Sequence, residues 1–332
     1  MQPVYPKKLR DGDTLCILAP SDPLSNLQEE NIAIAQKRLE DLGFHVVYGR
    51  HVMDRGPFGP TDAAARVEDL HAAFADPDIK GILCAYGGFS ANQMLPLIDW
   101  ELIARNPKVF MGYSDITALL ASIYARTGLV TYHGPNFSDF GMLEGFEYSF
   151  EKFCLCLGQK KVYTMDQSPA YSTDAWWWDQ EHRNWTENPG IRVYSPGQAT
   201  GPVLGTNLCT LNLLQGTPYM PPLAGHILFL EDDAIVGGAF PMEFDRNLTS
   251  LSQCPGFEDI LGLVIGRWMP ESNMDDEKMA VILDHLEALT GKPVCFGGDF
   301  GHTLPLCTFP VGGLCRLTCT EEGETEIAFL RH

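Results

Sequence analysis

Strand-like and helix-like segments alternate through the first half of the chain, and this alternation limits the folds open to it more than any other feature. Residues 13–19 read as a buried strand ending in Pro20-Ser21, 27–42 as a helix stopped by Gly43, and 44–48 as a second strand. A helix over 63–75 is stopped by Asp76-Pro77. A third strand over 79–85 runs into Tyr86-Gly87-Gly88-Phe89 and a helix through Leu97. Residues 109–111 form a fourth strand that runs into the helical pattern 116–124, and 128–132 begins a fifth. Strands alternating with helices of this length imply βαβ units and a parallel sheet. Ligands on such sheets sit outside the carboxyl ends of the strands, where Gly87-Gly88 and Ser114 fall.

Residues 166–200 differ in character. Four of the six tryptophans, Trp176, Trp177, Trp178 and Trp185, lie here among carboxylates and prolines. The stretch is too polar for core and too aromatic for a disordered linker. A long loop of this kind is expected to act as a lid or ligand wall, with an aromatic dimer contact as the other reading. Beyond it, 201–205 leads into a short capped helix from Asn207. Strands are expected over 226–231, 261–265, 294–296 and 315–320, with helices over 244–251 and 275–289. The fold class expected is α/β. An N-terminal doubly wound, flavodoxin- or Rossmann-like parallel sheet spans 1–165, the tryptophan-rich connection 166–200, and a smaller C-terminal α/β domain of the swivelling type 201–332.

With 332 residues, 45% of them hydrophobic, the chain can bury a sizeable core. A net charge of −20 argues against nucleic acid or an anionic membrane as partner, since both call for a basic surface. The polar, proline-broken start lacks the apolar stretch of a signal peptide, so a cytoplasmic location is expected. No apolar run reaches bilayer-spanning length. The ten cysteines sit mostly inside apolar segments, as reduced, buried thiols would. Cys315 and Cys319 share a strand face without a partnering histidine, a weak basis for a metal site.

The chemistry centres on Gly112-Tyr113-Ser114-Asp115. A serine on a sharp strand-to-helix turn has its hydroxyl lifted out of the sheet, and the next amide, at a helix start, has no intrahelical partner. A nucleophile and one oxyanion donor can thus come from a single turn. The competing reading is an ordinary helix cap. A serine nucleophile needs a base, and two of the nine histidines stand out. His133 follows a strand and precedes Gly134-Pro135-Asn136. His302 lies in the turn Gly297-Gly298-Asp299-Phe300-Gly301-His302, and spacing leaves the base role open between the two. Glu231, closing the run Ile227-Leu228-Phe229-Leu230, is the candidate to orient the base. Glu231-Asp232-Asp233 could also be a solvated acidic turn or the seat of a metal hydrolase. Gly87-Gly88 can point a second amide into the site, but lacks the pattern of a phosphate cradle.

Taken in order, Tyr86-Gly87-Gly88-Phe89-Ser90-Ala91-Asn92, Gly112-Tyr113-Ser114-Asp115-Ile116-Thr117, Gly205-Thr206-Asn207-Leu208, Leu230-Glu231-Asp232 and Gly301-His302-Thr303-Leu304-Pro305-Leu306 resemble the LD-carboxypeptidase family of serine peptidases. The resemblance covers essentially the whole chain. It implies a triad of Ser114 as nucleophile, His302 as base and acid and Glu231 as orienting carboxylate, across an interdomain cleft. It implies an oxyanion hole from the Gly88 and Asp115 amides, no cofactor or metal, a homodimer, and a structural role for His133. The tryptophan insert resembles the microcin C immunity branch. There an aromatic loop stacks on a nucleotide, worth roughly 1–3 kcal/mol per base. Trp176, Trp177, Trp178, Trp185 and Asn207 are the implied substrate contacts. The implied substrate is a peptidyl- or aminoacyl-nucleotide. A murein tetrapeptide is the alternative within the family, and a non-catalytic ligand-binding module the alternative outside it.

Overall fold

The computed structural model describes residues 2–159 and 161–332. Met1 and Lys160, both within the N-terminal region read above, lie outside the described residues.

Strand β1 (Thr14–Leu18) is buried from Leu15 onward, as an unbroken apolar run requires of a strand in mid-sheet. It is followed by α1 (Glu29–Asp41), β2 (His45–Tyr48), α2 (Ala63–Ala75), β3 (Ile79–Cys84), α3 (Trp100–Arg105), β4 (Val109–Gly112), α4 (Thr117–Thr127) and β5 (Thr131–His133). The carboxylates of Asp62 and Asp99 accept the Ala65 and Leu102 amides and start α2 and α3. Gly128, with φ of 75°, ends α4 in the left-handed conformation that glycine adopts without steric cost. The strands lie parallel in the order β2-β1-β3-β4-β5. This is a doubly wound order whose winding reverses between β1 and β3.

The chain continues through α5 (Glu147–Phe153), β6 (Arg192–Ser195), β7 (Gly197–Asn207), α6 (Leu208–Asn212), β8 (Ile227–Glu231), α7 (Phe240–Ser252) and β9 (Gly262–Gly266). It ends with α8 (Asp276–Asp284), β10 (Val294–Gly298), β11 (Phe309–Val311), β12 (Leu314–Cys319) and β13 (Thr325–Arg331). Strands β7, β8, β9 and β10 run parallel. Antiparallel β6 flanks β10, while β12, β13 and Tyr163–Thr164 extend the other side. This sheet has eight strands against six in the first, and two of the eight, Tyr163–Thr164 and β6, come from outside the expected C-terminal domain 201–332.

Strand pairing crosses the connection in both directions. β11 pairs antiparallel with β5 and closes the edge of the N-terminal sheet, while Tyr163–Thr164 joins the other sheet. Both hydrophobic clusters draw on both halves. One joins Phe110 and Leu119 to Leu208, Leu230 and Phe244, and the other joins Met111 and Tyr132 to Phe229 and Phe309. Helix α4, buried from Thr117 to Tyr124, lies between the sheets and packs on α6 and β7.

Several elements depart from the sequence reading. The helix expected to run through Leu97 is a 3-10 segment, Ala91–Leu97, which contains Pro96. The helix expected over 275–289 ends at Asp284, and a separate 3-10 turn follows over Glu287–Leu289. Residues 166–200 are no continuous loop: Ala170–Tyr171 pairs with Thr186–Glu187, and β6 and the start of β7 join the second sheet. No helix among the described residues is long and apolar enough to cross a membrane.

Candidate active site

The carboxyl ends of the two parallel sheets face one another, and the candidate residues meet between them. Ser114 leaves β4 with φ of 65°, a conformation rare for a residue with a side chain. Such a residue costs on the order of 1–3 kcal/mol and persists only where its surroundings hold it. Here the holding group is the next side chain. The Asp115 carboxylate, 3% exposed, accepts the Ser21 hydroxyl at 2.5 Å and the Ser90 and Ala91 amides at 2.8 Å each. One buried carboxylate therefore ties the serine turn to the loops after β1 and β3.

Gly87 brings the β3 loop onto the serine. A Cβ there would lie 2.9 Å from Ser114 Cβ and 3.0 Å from Oγ, too close for any larger residue. The Gly88 and Asp115 amides donate to no protein acceptor among the described residues, which leaves both N–H groups open for a ligand.

The second sheet supplies the histidine and its carboxylate. Glu231 ends β8, and its Oε2 lies 2.7 Å from His302 Nδ1. His302 Nε2 lies 3.0 Å from Ser114 Oγ. The Glu231 side chain is 1% exposed and that of His302 19%. The His302 loop can cross so close to Glu231 because residue 301 is glycine, at φ of 110°. A Cβ there would meet Glu231 Oε2 at 2.8 Å.

Burial alone would lower the His302 pKa. The Glu231 charge and hydrogen bond outweigh it, with Asp233 and Asp232 adding, and the imidazole is pushed up to about 9. Asp232 is itself pushed up to about 8, by burial first and then by the charges of Glu231 and Asp233. Its carboxylate is occupied, accepting Asn207 Nδ2 and the Cys209 and Asp233 amides at 3.1 Å each.

His133, the other histidine favoured by sequence, is fully buried and stacks on Phe309 with ring centroids 4.5 Å apart. Burial, aided by the charge of His302, lowers its pKa to about 3. It makes no bond to Ser114, and the pairing that buries it is β11 against β5.

A cavity of about 400 Å³ opens over Ser114 and His302, with Tyr86, Tyr113, Trp176 and Trp177 in its wall. The four tryptophans thus divide. Trp176 is 1% exposed, part of the core, and meets Trp177 edge to face, whereas Trp178 and Trp185 lie outside the cavity wall. Trp185 instead carries the Arg183 guanidinium over its ring at 4.9 Å. Asn207 also stands outside the wall. It is 2% exposed, caps α6 through Thr210, holds Asp232 through Nδ2, and donates its backbone N–H to Thr117 Oγ1 at 3.1 Å.

Sequence reasoning took Asp115 for its amide and missed its side chain. It also missed Thr117, whose hydroxyl bonds that of Thr206 and so links α4 to the end of β7.

Residues 15–134 match the LD-carboxypeptidase N-terminal domain and residues 200–317 the LD-carboxypeptidase C-terminal domain. The carboxypeptidase-like protein YocD of Bacillus subtilis is 41% identical over 314 residues, 95% of this chain and 96% of that protein. The microcin self-immunity protein MccF of Escherichia coli is 30% identical over 329 residues, 93% of this chain and 92% of that protein. Among solved structures, an MccF-like protein from Bacillus anthracis superposes with a TM-score of 0.97 at 42% identity, covering 99% of this chain and 100% of that one. MccF in complex with aspartyl sulfamoyl adenosine superposes with a TM-score of 0.86 at 27% identity, covering 99% of each chain.

Proposed function

The chain belongs to the LD-carboxypeptidase family, and from that premise we propose that it is a serine hydrolase cutting the amide bond of aminoacyl- or peptidyl-nucleotides. Ser114 is its nucleophile, His302 its base and Glu231 its orienting carboxylate. The observation that carries the reading is His302 bridging Ser114 Oγ at 3.0 Å and Glu231 Oε2 at 2.7 Å. A nucleophile, a base and an orienter within hydrogen-bond reach form the arrangement that acyl transfer needs.

In the reaction Ser114 Oγ attacks the carbonyl carbon while its proton passes to His302 Nε2. The oxyanion takes the free Gly88 and Asp115 N–H groups. Collapse breaks the C–N bond, and the leaving nitrogen receives the proton from His302. Water, deprotonated by the same imidazole, then hydrolyses the acyl ester and frees Ser114. The nucleotide part of the reading draws on the aromatic wall of Tyr86, Tyr113 and Trp177 and on the aspartyl sulfamoyl adenosine bound by MccF. The cytoplasmic location expected from the sequence and the homodimer implied by the family resemblance belong to the same reading.

The test presents aminoacyl sulfamoyl adenosines and a murein tetrapeptide to the wild-type protein and to Ser114→Ala, with products separated by chromatography. Cleavage of the nucleotide compounds, abolished in the variant, is the expected outcome. Cleavage of the tetrapeptide alone would remove the nucleotide, and undiminished turnover by Ser114→Ala would remove the triad.

A further inference from the structure

The cavity over Ser114 and His302 has a wall of marked charge. Four carboxylates line it, Asp22, Asp174, Asp233 and Glu271, and among the described residues no lysine or arginine does. Two of the four are compensated from outside the wall. Asp174 is paired with Arg183, whose Nε lies 3.5 Å away. Asp22 accepts Asn26 Nδ2 at 3.1 Å and lies in the field of Arg55.

Neither Asp233 nor Glu271 is paired with a lysine or arginine among the described residues, and the cation nearest Asp233 is the His302 imidazolium inside the site itself. Asp233 accepts the Ile235 amide at 2.9 Å, and Glu271 is within 3.4 Å of the Thr173 hydroxyl. Neither forms an ion pair among the described residues. They follow neighbouring strands of one sheet, Asp233 just past β8 and Glu271 in the turn past β9. The turn carrying Glu271, Pro270–Ser272, packs on Gly237–Ala239, the segment that follows Asp233, so the second sheet brings both carboxylates to the cavity. The neighbours they share it with, Ala234, Ile235 and Met269, have apolar side chains, and Ile235 is 67% exposed. A carboxylate brought there by a substrate would meet two like charges and no side-chain donor from these three. An ammonium would meet two open acceptors.

We infer that this side of the cavity selects an acyl group carrying a cationic side chain and disfavours one carrying a carboxylate, with Asp233 and Glu271 as the selecting residues. The inference rests on the hydrolase reading above and deepens it by naming the substrate class. Like charges brought together in a partly desolvated site cost more than the matching attraction gains, and so set specificity chiefly by exclusion. The proton balance of the base points the same way. His302 is held protonated by Glu231, Asp233 and Asp232, and it must be neutral to take the serine proton. A substrate cation beside Asp233 offsets part of that field, whereas a substrate carboxylate adds to it.

The experiment compares lysyl-, alanyl- and aspartyl-sulfamoyl adenosine, which share the α-ammonium and differ only in the side chain. For the wild-type protein, kcat/KM is expected to be highest for lysyl and lowest for aspartyl, with about a tenfold span or more. In Asp233→Asn/Glu271→Gln the span is expected to shrink to about threefold or less. An aspartyl compound cut as well as the lysyl one overturns the inference, as does a span unchanged in the folded double variant. Should that variant fail to fold, the wild-type span is measured at low and high salt; it must narrow as salt screens the pair, and a constant span overturns the inference. Calorimetric binding of the same compounds to Ser114→Ala separates the two claims. Lysyl bound more tightly than aspartyl but never cut counts against the hydrolase reading alone, while equal or reversed affinities count against the selection.

Discussion

Ser114 leaves β4 on a turn whose contribution to the cavity is uncharged, one hydroxyl and the Asp115 amide, and the loop after β3 adds the Gly88 amide. Glu231 leaves β8 beside Asp232, Asp233 and, from the next strand end, Glu271. The N-terminal half is built for position. Its charge next to the serine, on Asp115, is spent on Ser21, Ser90 and Ala91. The C-terminal half is built for field, since its carboxylates raise the pKa of the imidazole between them and leave two charges facing the cavity. Damage to the first half should therefore appear as misplacement and damage to the second as a shift in proton balance. The exception is removal of the proposed base, His302.

That exception gives the largest expected effect. His302→Ala should lower kcat by about ten-thousandfold or more, because the serine then has no acceptor for its proton. Glu231→Gln should cost about a thousandfold, since an amide can hold the ring but not stabilise its cation. Single-turnover rates on one substrate test the pair, and a Glu231→Gln variant near wild-type activity would remove the field from the account.

The positioning half is tested by Asp115→Asn. The amide keeps an oxygen for the three donors but loses the charge that strengthens their bonds. The expected result is a fall in kcat of about ten- to a hundredfold, with KM within about twofold. Thermal melting checks that the fold survives. A change confined to KM would mean that Asp115 acts on binding and not on the serine turn.

How far these roles could be read from sequence follows the same division. Gly301 pointed to His302 because a glycine at φ of 110° is what lets the loop pass Glu231, and that requirement is local. Strand ends placed Ser114 and Glu231 for the same reason. The choice between His133 and His302 was not legible, because it depends on β11, a three-residue strand containing Pro310 that returns from the C-terminal region to bury His133. The Asp115 carboxylate was equally hidden, since its partners come from loops 94, 25 and 24 residues away. The insert 166–200 does supply cavity wall, through Ser172 to Asp174, Trp176 and Trp177, but its average polarity concealed that Trp176 is core while Trp178 is 72% exposed. Composition averages over positions that packing treats as opposites.

The smallest effect expected is also the one that best isolates the field. His302 is pushed up to about 9, and the proposed reaction needs its neutral form. Wild-type kcat/KM should therefore rise with pH through neutrality and reach half its plateau near the pKa of the free protein. Asp233→Asn removes one of the charges holding the proton on His302. The half-plateau point should move to lower pH, by about half a unit for a partly exposed neighbour. At pH 7, well below that point, a neutral-sided substrate such as the alanyl compound should then be cut roughly threefold faster by the variant than by the wild type, although the variant loses a wall group. The opposite sign, a variant slower at pH 7 with an unmoved profile, would show that Asp233 acts on substrate alone. The division between a positioning half and a field half would then shrink to Glu231.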